Sequence, residues 1–207
     1  MEQELYEKYG LKGNELFTFL GNDIVSCGIG IADSWGQMLN SSDEVDEWGI
    51  GYRTVKHKNG ICAEMIYRPL EKASLKDLKN YKVPDPEDEE RYSRVIKLKE
   101  KFGDMHAVMV DLSCTIFELS WYLRGMENLL RDMYGNKNFV SYLMDKILEF
   151  YIPAAKKLAK IGDDVGMQIG MIMSPEMSRE FLKERYRLLI NEVKRLNKNT
   201  KIAFHMI

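Results

Sequence analysis

Two adjacent acids, Asp163 and Asp164, are followed closely by Gly166 and Gln168. Neighbouring carboxylates before a glycine can bind a metal ion, or they can hold a cationic or hydrogen-bonding substrate at the end of a strand. The structural alternative is that the two acids end one helix and open a loop. Asp163, Asp164 and Gln168 are therefore candidate site residues, and that alternative stays open.

Two further polar residues close short apolar runs that are typical of strands. His205 follows the run at residues 202–204, and Asp111 follows the run at residues 107–110. In a parallel α/β fold, a polar residue at the carboxyl end of a strand points into the ligand crevice. A lone histidine is more often a structural residue, so His205 needs a second feature to define its role.

The segment Asp46-Glu47-Trp48-Gly49 places a tryptophan between acids and a glycine. This arrangement is typical of a pocket rim. A later arginine, Arg68, can bind a carboxylate through two parallel hydrogen bonds. The alternative is a packed hairpin with charged residues at its solvated edge. Trp48 and Arg68 are the candidate substrate-binding residues of this part of the chain.

The cysteines and the other histidines show no pairing along the sequence. Cys27, Cys62 and Cys114 are widely spaced, and none has a neighbouring histidine or aspartate that would mark a catalytic thiol. His57 and His106 have no partners at ligand spacing. We therefore expect reduced cysteines and a cytoplasmic protein.

Alternating helices and short strands must position these residues. Gly10 and Gly13 interrupt a helix predicted over residues 2–20, and Lys58-Asn59-Gly60 predicts the turn of a β-hairpin near residues 50–67. Further helices are predicted over residues 85–102, 116–123, 126–133, 136–160 and 174–196, and strands over 24–29, 107–110 and 202–204. The alternation in the second half predicts a parallel α/β sheet or barrel, with the hairpin as an insertion.

Length and composition restrict the class of protein. The 207 residues, of which 45% are hydrophobic, suffice for one domain. The 30 basic and 32 acidic residues give a net charge of −2, which argues against a nucleic-acid-binding surface and a polybasic membrane patch. Charged residues interrupt every apolar run before the roughly 18 residues of a membrane helix. The first ten residues lack the apolar stretch of a secretory signal.

Taken in order, the motifs resemble the uroporphyrinogen decarboxylase superfamily, and most closely its corrinoid-dependent methyltransferase branch. The resemblance spans nearly the whole chain from about residue 20. The motifs that carry it are Asp46-Glu47-Trp48-Gly49, Arg68-Pro69-Leu70, Pro84-Asp85-Pro86 with Arg91, Phe117-Glu118 with Leu123-Arg124-Gly125, Gly162-Asp163-Asp164 with Gly166 and Gln168, Ser174-Pro175-Glu176 with Phe181, and His205.

The resemblance implies a (β/α)₈ barrel with its site at the carboxyl ends of the strands. Decarboxylases of this family use no cofactor: arginines hold the carboxylates of a tetrapyrrole, and an aspartate holds its pyrrole nitrogens. Methyltransferases move a methyl group between a corrinoid protein and a thiol that zinc activates as a thiolate. Their first zinc ligand belongs to a His-x-Cys motif at a strand end, and His205 matches its histidine.

The chain also departs from this pattern. Ile207 stands where His-x-Cys requires the cysteine, and no later strand supplies the other cysteine ligand. The arginine-rich motif of the decarboxylases and an opening strand before residue 20 are missing. Lys160-Ile161-Gly162 runs directly into Asp163, which leaves no room for a strand of about five residues. We therefore expect residues 1–207 to form one partial domain, an incomplete (β/α)₈ barrel whose open sheet edges a homo-oligomer could cover.

Methyl transfer from a corrinoid protein to a thiol is the function that the resemblance favours, although the missing elements make activity of this shortened chain doubtful. The candidate catalytic residues are Asp163, Asp164 and His205, with His205 also the candidate zinc ligand. The candidate substrate-binding residues are Trp48, Arg68, Asp111 and Gln168. Two alternatives stay open. One is uroporphyrinogen decarboxylation, with Arg68, Arg91 or Arg124 holding carboxylates. The other is a non-catalytic remnant or binding subunit.

Overall fold

The computed structural model describes residues 2–30, 44–58, 60–112, 114–157, 161–162, 166–167, 170–196, 198, 201–202 and 204–205. Its strands are β1 (Ile24–Gly28), β2 (Glu44–Val45), β3 (Gly51–His57), β4 (Gly60–Tyr67), β5 (Ala107–Asp111), β6 (Ile161–Gly162), β7 (Gly166–Met167), β8 (Gly170–Met171) and β9 (Phe204–His205). Its α-helices are α1 (Glu2–Tyr9), α2 (Gly13–Phe19), α3 (Leu75–Asn80), α4 (Ser93–Phe102), α5 (Phe117–Arg124), α6 (Met126–Gly135), α7 (Lys137–Lys157), α8 (Pro175–Ser178) and α9 (Glu184–Leu196).

The amino-terminal helix is divided, as the two glycines predict. Gly10 has a φ of +65° and ends α1, and its N–H donates to the carbonyl of Tyr6. Gly13 has a φ of +51° where α2 begins. Residues with a side chain rarely adopt such angles, so the glycines fix where the helix breaks.

Strands β1 and β5 form a parallel pair in which Ile24 lies opposite Ala107 and Gly28 lies opposite Asp111. Helix α4 packs against both strands. Both strands were predicted, but burial of β1 is only partial: Val25 is buried, whereas Ile24 is 44% exposed. The register brings the carboxyl ends of the two strands to one edge, which is where functional groups lie in parallel α/β folds.

Strands β3 and β4 form the antiparallel hairpin that the Asn-Gly pair predicts, and β2 pairs with β3 at its base. Because paired residues of an antiparallel hairpin share a face, one face carries Tyr52 and Met65, which pack against the core. The opposite face turns away from the core. That the hairpin is an insertion in a barrel stays a prediction.

Helix α4 begins later than the sequence predicts. The helix predicted from residue 85 does not start there, because Asp85 Oδ1 accepts from the N–H of Glu87 in a separate turn at 2.8 Å. Asp88 instead caps a 3₁₀ turn, Glu89–Tyr92, by accepting from the N–H of Glu90 at 3.0 Å, and α4 follows directly. Asp85 and Asp88 each accept a hydrogen bond in a turn of their own, so the sequence alone did not show which of them precedes the helix.

Most of the core lies between α5, α6 and α7. Helix α7 spans 21 residues with Pro153 near its end, and its buried positions recur every three or four residues, at Phe139, Leu143, Ile147 and Tyr151. This spacing is that of one face of an α-helix. None of the described helices combines the length and apolar character needed to cross a membrane.

A second parallel pair lies directly before Asp163, where the sequence leaves no room for a strand of about five residues. Strand β6 pairs with β9, with Ile161 opposite Phe204 and Gly162 opposite His205. The described strand has two residues, which agrees with the expectation that a strand of about five does not fit; the short pairing with β9 was not predicted. The described part is mixed α/β, as predicted. Its completion as a partial barrel stays a prediction.

The last long helix begins as predicted at Ser174, whose Oγ accepts from the N–H of Met177 at 3.2 Å, with Pro175 in the first position. The prediction of a regular α-helix to residue 196 needs one correction. A π-helical segment, Arg179–Lys183, separates α8 from α9. It buries Phe181 and Leu182, so the wider turn places two adjacent apolar side chains in the core.

Candidate functional site

A cavity of about 460 Å³ opens at the carboxyl ends of β1 and β5. Its volume falls within the usual range for small-ligand sites. The described residues that line it are Gly28, Ile29, Gly30, Asp46, Glu47, Trp48, Tyr52, Asp111, Leu112, Cys114, Leu119, Tyr122, Phe150 and Tyr151. Two predicted substrate-binding residues, Trp48 and Asp111, are therefore brought together in one cavity.

Asp46 builds the loop that carries Trp48. Its Oδ1 accepts from the backbone N–H groups of Trp48 at 2.9 Å and Ile50 at 2.8 Å, and its Oδ2 accepts from the Tyr52 hydroxyl at 3.1 Å. Gly49 completes the turn with a φ of +77°. Burial raises the pKa of Asp46, and these hydrogen bonds offset only part of that shift.

Glu47 is held by a buried arginine. Arg91 is 1% exposed, and its Nη1 and Nη2 donate to the two carboxylate oxygens of Glu47 at 2.8 and 2.6 Å. Its Nε donates to the carbonyl of Asp85 at 3.1 Å, and the guanidinium carbon lies 4.8 Å from the Phe150 ring centre. The charge of this carboxylate at the cavity wall is therefore balanced from inside the protein.

Aromatic rings form much of the cavity wall. Trp48 stacks on Tyr151 at 6.4 Å between ring centres and meets the edge of Phe150 at 5.1 Å. The carbonyl of Trp48 accepts from the Tyr81 hydroxyl at 2.6 Å. Trp48 is only 8% exposed, and the neighbouring rings hold its indole in place. The hydrogen bond from Tyr81 fixes the backbone that carries it.

A cysteine to which the sequence assigned no role lies in the same cavity. Cys114 has a φ of +56°, and its Sγ lies 3.7 Å from both Glu118 Oε1 and the Tyr122 hydroxyl. Tyr122 donates to the same Glu118 oxygen at 3.2 Å. The expectation from the sequence covered only histidine and aspartate as partners of a catalytic thiol, so it did not include Glu118 and Tyr122. The spacing of four residues between Cys114, Glu118 and Tyr122 was the available signal.

The tyrosine hydroxyls of the wall are hydrogen-bond donors at neutral pH. Burial raises the pKa of Tyr52 well above its usual range, and the Asp46 carboxylate adds to the shift. Burial likewise raises the pKa of Tyr122, with contributions from Cys114 and Glu118. Both phenols therefore keep their protons.

The structure does not bring the candidate arginines to the cavity lining. Arg68 follows β4, and its side chain lies against Gly125. A Cβ atom added to Gly125 would lie 3.6 Å from the Cδ of Arg68. Arg124 donates from Nε to Asp132 at 2.8 Å and stacks over Phe139 at 4.2 Å. Arg91 is engaged by Glu47. The positions expected to hold tetrapyrrole carboxylates therefore make contacts within the protein.

Of the other predicted site residues, the structure describes only the backbone of His205. Asp163, Asp164 and Gln168 are outside the described residues. The backbone of His205 lies in β9 opposite Gly162, the residue that precedes Asp163 in sequence. Strand pairing thus places His205, the predicted metal ligand, beside the residue that precedes Asp163 and Asp164.

Comparison with known proteins adds a family and a fold. The family model of uroporphyrinogen decarboxylase (URO-D) matches residues 50–207. A search of curated proteins gives no match. The fold is similar to that of a methyltransferase from Methanosarcina mazei, with a TM-score of 0.66 and 16% sequence identity. This similarity covers 99% of the chain but 61% of the methyltransferase, so the chain spans less than two-thirds of that protein.

Proposed function

The chain belongs to the uroporphyrinogen decarboxylase family, and from this premise we propose that it is a methyltransferase-type domain. Its cavity binds the small-molecule thiol that receives the methyl group. A corrinoid protein is the proposed partner and would carry the methyl group, and a thiol is the proposed acceptor. The fold similarity to a methyltransferase supports this choice of branch.

The lining of the cavity is the observation that carries the proposal. Aromatic rings and carboxylates dominate it, and no lysine, arginine or histidine occurs among the described residues that line it. A tetrapyrrole bears many carboxylates and needs cationic partners, above all arginine forks. A neutral or positively charged small molecule suits this lining better, since aromatic faces and carboxylates both attract cations.

Specific residues would position that molecule. Trp48 and Tyr151 offer flat apolar surface, which excludes water from the methyl group. Tyr52 and Tyr122 offer phenol hydroxyls that stay protonated. Asp111, at the carboxyl end of β5, is the carboxylate proposed to hold the polar end of the substrate.

The zinc site of the methyltransferase branch does not fit the residues of this chain. His205 can supply one ligand, but Ile207 carries no atom that binds a metal where the motif requires a thiolate. The proposed reaction therefore involves no zinc held by this pair. This departure favours a second candidate function, a binding subunit that holds the substrate or the corrinoid protein while another chain completes the chemistry.

Turnover by the purified full chain tests the proposal. The protein is incubated with methylcobalamin and a small thiol, and separately with uroporphyrinogen, and both products are quantified. We expect the methyl thioether of the thiol, formed with loss of the thiol proton and release of cob(I)alamin, and no decarboxylated porphyrinogen. Porphyrinogen turnover without thioether would overturn the methyltransferase assignment. If neither product forms and the chain stably binds a corrinoid protein in a separate pull-down, the binding subunit is the favoured function.

A further inference from the structure

The outward face of the hairpin carries a cluster of potential metal ligands. The strand register places these pairs on that face: Arg53 with Glu64, Val55 with Cys62, and His57 with Gly60. The opposite face carries Tyr52, which lines the cavity. The cluster is therefore separated from the candidate functional site by the thickness of the hairpin.

The three side chains approach one another closely. One ligand atom each from His57, Cys62 and Glu64 lies within 4.8 Å of the others. His57 Nε2 is 3.7 Å from Glu64 Oε1, and each of these two side chains is 54% exposed. Cys62 is exposed and forms no disulfide. All three groups are accessible to an ion in solution.

We propose that His57, Cys62 and Glu64 form a binding site for zinc. A thiolate, an imidazole and a carboxylate are the three ligand types that zinc prefers. Zinc–ligand bonds of about 2.0–2.3 Å in a tetrahedron separate ligand atoms by roughly 3.3–3.8 Å. A nitrogen–oxygen ligand pair lies at the short end of this range, about 3.3–3.5 Å. The 3.7 Å between His57 Nε2 and Glu64 Oε1 exceeds it by a few tenths of an ångström, which small rotations of these exposed side chains can close. The thiolate disfavours magnesium and calcium, which require oxygen ligands.

The ion would tie the two strands of the hairpin together. His57 ends β3, whereas Cys62 and Glu64 belong to β4, so a single ion would bridge both strands next to the turn. Three protein ligands leave a fourth position for water. The site stands independently of the proposed methyl transfer, because none of its ligands lines the cavity.

Zinc titration of the metal-free full chain tests this site, with a chromophoric chelator as competitor. We expect one zinc ion per chain. Changing an outer-shell partner of a metal costs roughly 10- to 100-fold in affinity. Loss of a direct ligand in Cys62→Ser, His57→Gln or Glu64→Gln should therefore weaken binding by at least about 100-fold. Cobalt substitution should give a thiolate charge-transfer band that Cys62→Ser lacks.

Two control variants distinguish zinc bound at the hairpin from zinc bound elsewhere on the chain. Cys27→Ser removes a cysteine outside the hairpin, and His205→Gln removes the histidine of the family motif; both should retain zinc. Circular dichroism should show that the three hairpin variants fold, because the altered side chains are exposed. Absence of stoichiometric zinc in the unaltered chain, undiminished binding in Cys62→Ser, or loss of zinc in His205→Gln would each overturn the proposal.

Discussion

At the scale of single residues, the acids of the Asp46-Glu47-Trp48-Gly49 segment hold the cavity wall together. Asp46 accepts hydrogen bonds from residues that are two, four and six positions further along the chain, so its contribution is local. Glu47 meets Arg91 44 residues along the chain. The sequence predicted Trp48 in a pocket rim from local composition. It did not predict the partner of Glu47, because that contact depends on how distant elements pack.

Loss of the Arg91 guanidinium should destabilise the fold strongly. Arg91→Met leaves Glu47, whose side chain is 26% exposed, without its counter-ion. Loss of a charged hydrogen-bond partner from this partly buried pair should cost about 1.5–3 kcal/mol. Denaturant unfolding should show this loss. The matched control is Arg131→Met, which breaks an exposed pair with Glu127 and should cost less than about 1 kcal/mol. Equal effects of the two substitutions would contradict a structural role for Arg91.

The buried carboxyl of Asp46 should make stability depend on pH. Its pKa is raised in the folded protein, so the folded state holds this proton more tightly than the unfolded state does. That contribution is fully present below the ordinary aspartate pKa and is lost as pH rises through the raised value. Asp46→Asn keeps a carbonyl acceptor but cannot ionise.

Unfolding free energies of the unaltered chain and Asp46→Asn, measured from acid to neutral pH, should therefore diverge. The difference should shift in favour of Asp46→Asn as pH rises. A difference that stays constant across this range would show that burial does not raise the pKa of Asp46.

At the scale of elements, local signals predicted helices and the hairpin well, and packing decided the rest. The Asn-Gly pair located the hairpin of β3 and β4. Strand β6 was missed because its two residues form a strand only by pairing with β9. The cluster of Cys114, Glu118 and Tyr122 was missed although its spacing was visible, since nothing in the sequence showed that this end of α5 meets the cavity.

The Ser174-Pro175-Glu176 motif acts as a helix start in the structure. Ser174→Ala removes the acceptor for the N–H of Met177 and should cost about 1 kcal/mol of stability. Ser174→Asp restores an acceptor at the cap and should recover most of that loss. Thermal unfolding of the three proteins measures both effects. Equal destabilisation by alanine and aspartate would argue that Ser174 contributes something other than a cap.

At the scale of the whole molecule, the two halves of the chain meet around a cavity without cationic side chains among its described lining residues. Sequence motifs predicted the family and named Trp48 and Asp111, both of which line this cavity. They did not predict the character of the lining, because arginines near the motifs turn into the protein. The charge of the cavity lining thus depends on how the folded chain packs.

The cavity should prefer a small cation to an uncharged ligand of equal shape. Contacts between a cation and aromatic faces contribute about 0.5–2 kcal/mol, which corresponds to roughly 2- to 30-fold in affinity. Isothermal titration calorimetry with choline and its uncharged carbon isostere should show this preference. Trp48→Leu should reduce it. Tighter binding of a dicarboxylate than of choline would contradict the proposed character of the site.

The proposed methyl transfer is assigned to the cavity at the carboxyl ends of β1 and β5. The most direct measurement is the single-turnover rate of thioether formation from methylcobalamin and a thiol. It is made with the unaltered chain, with Asp111→Asn in the cavity, and with Asp104→Asn at an exposed position. We expect transfer by the unaltered chain, a rate at least about tenfold lower in Asp111→Asn, and no change in Asp104→Asn. Thioether formation that is equally fast in all three proteins would contradict this assignment.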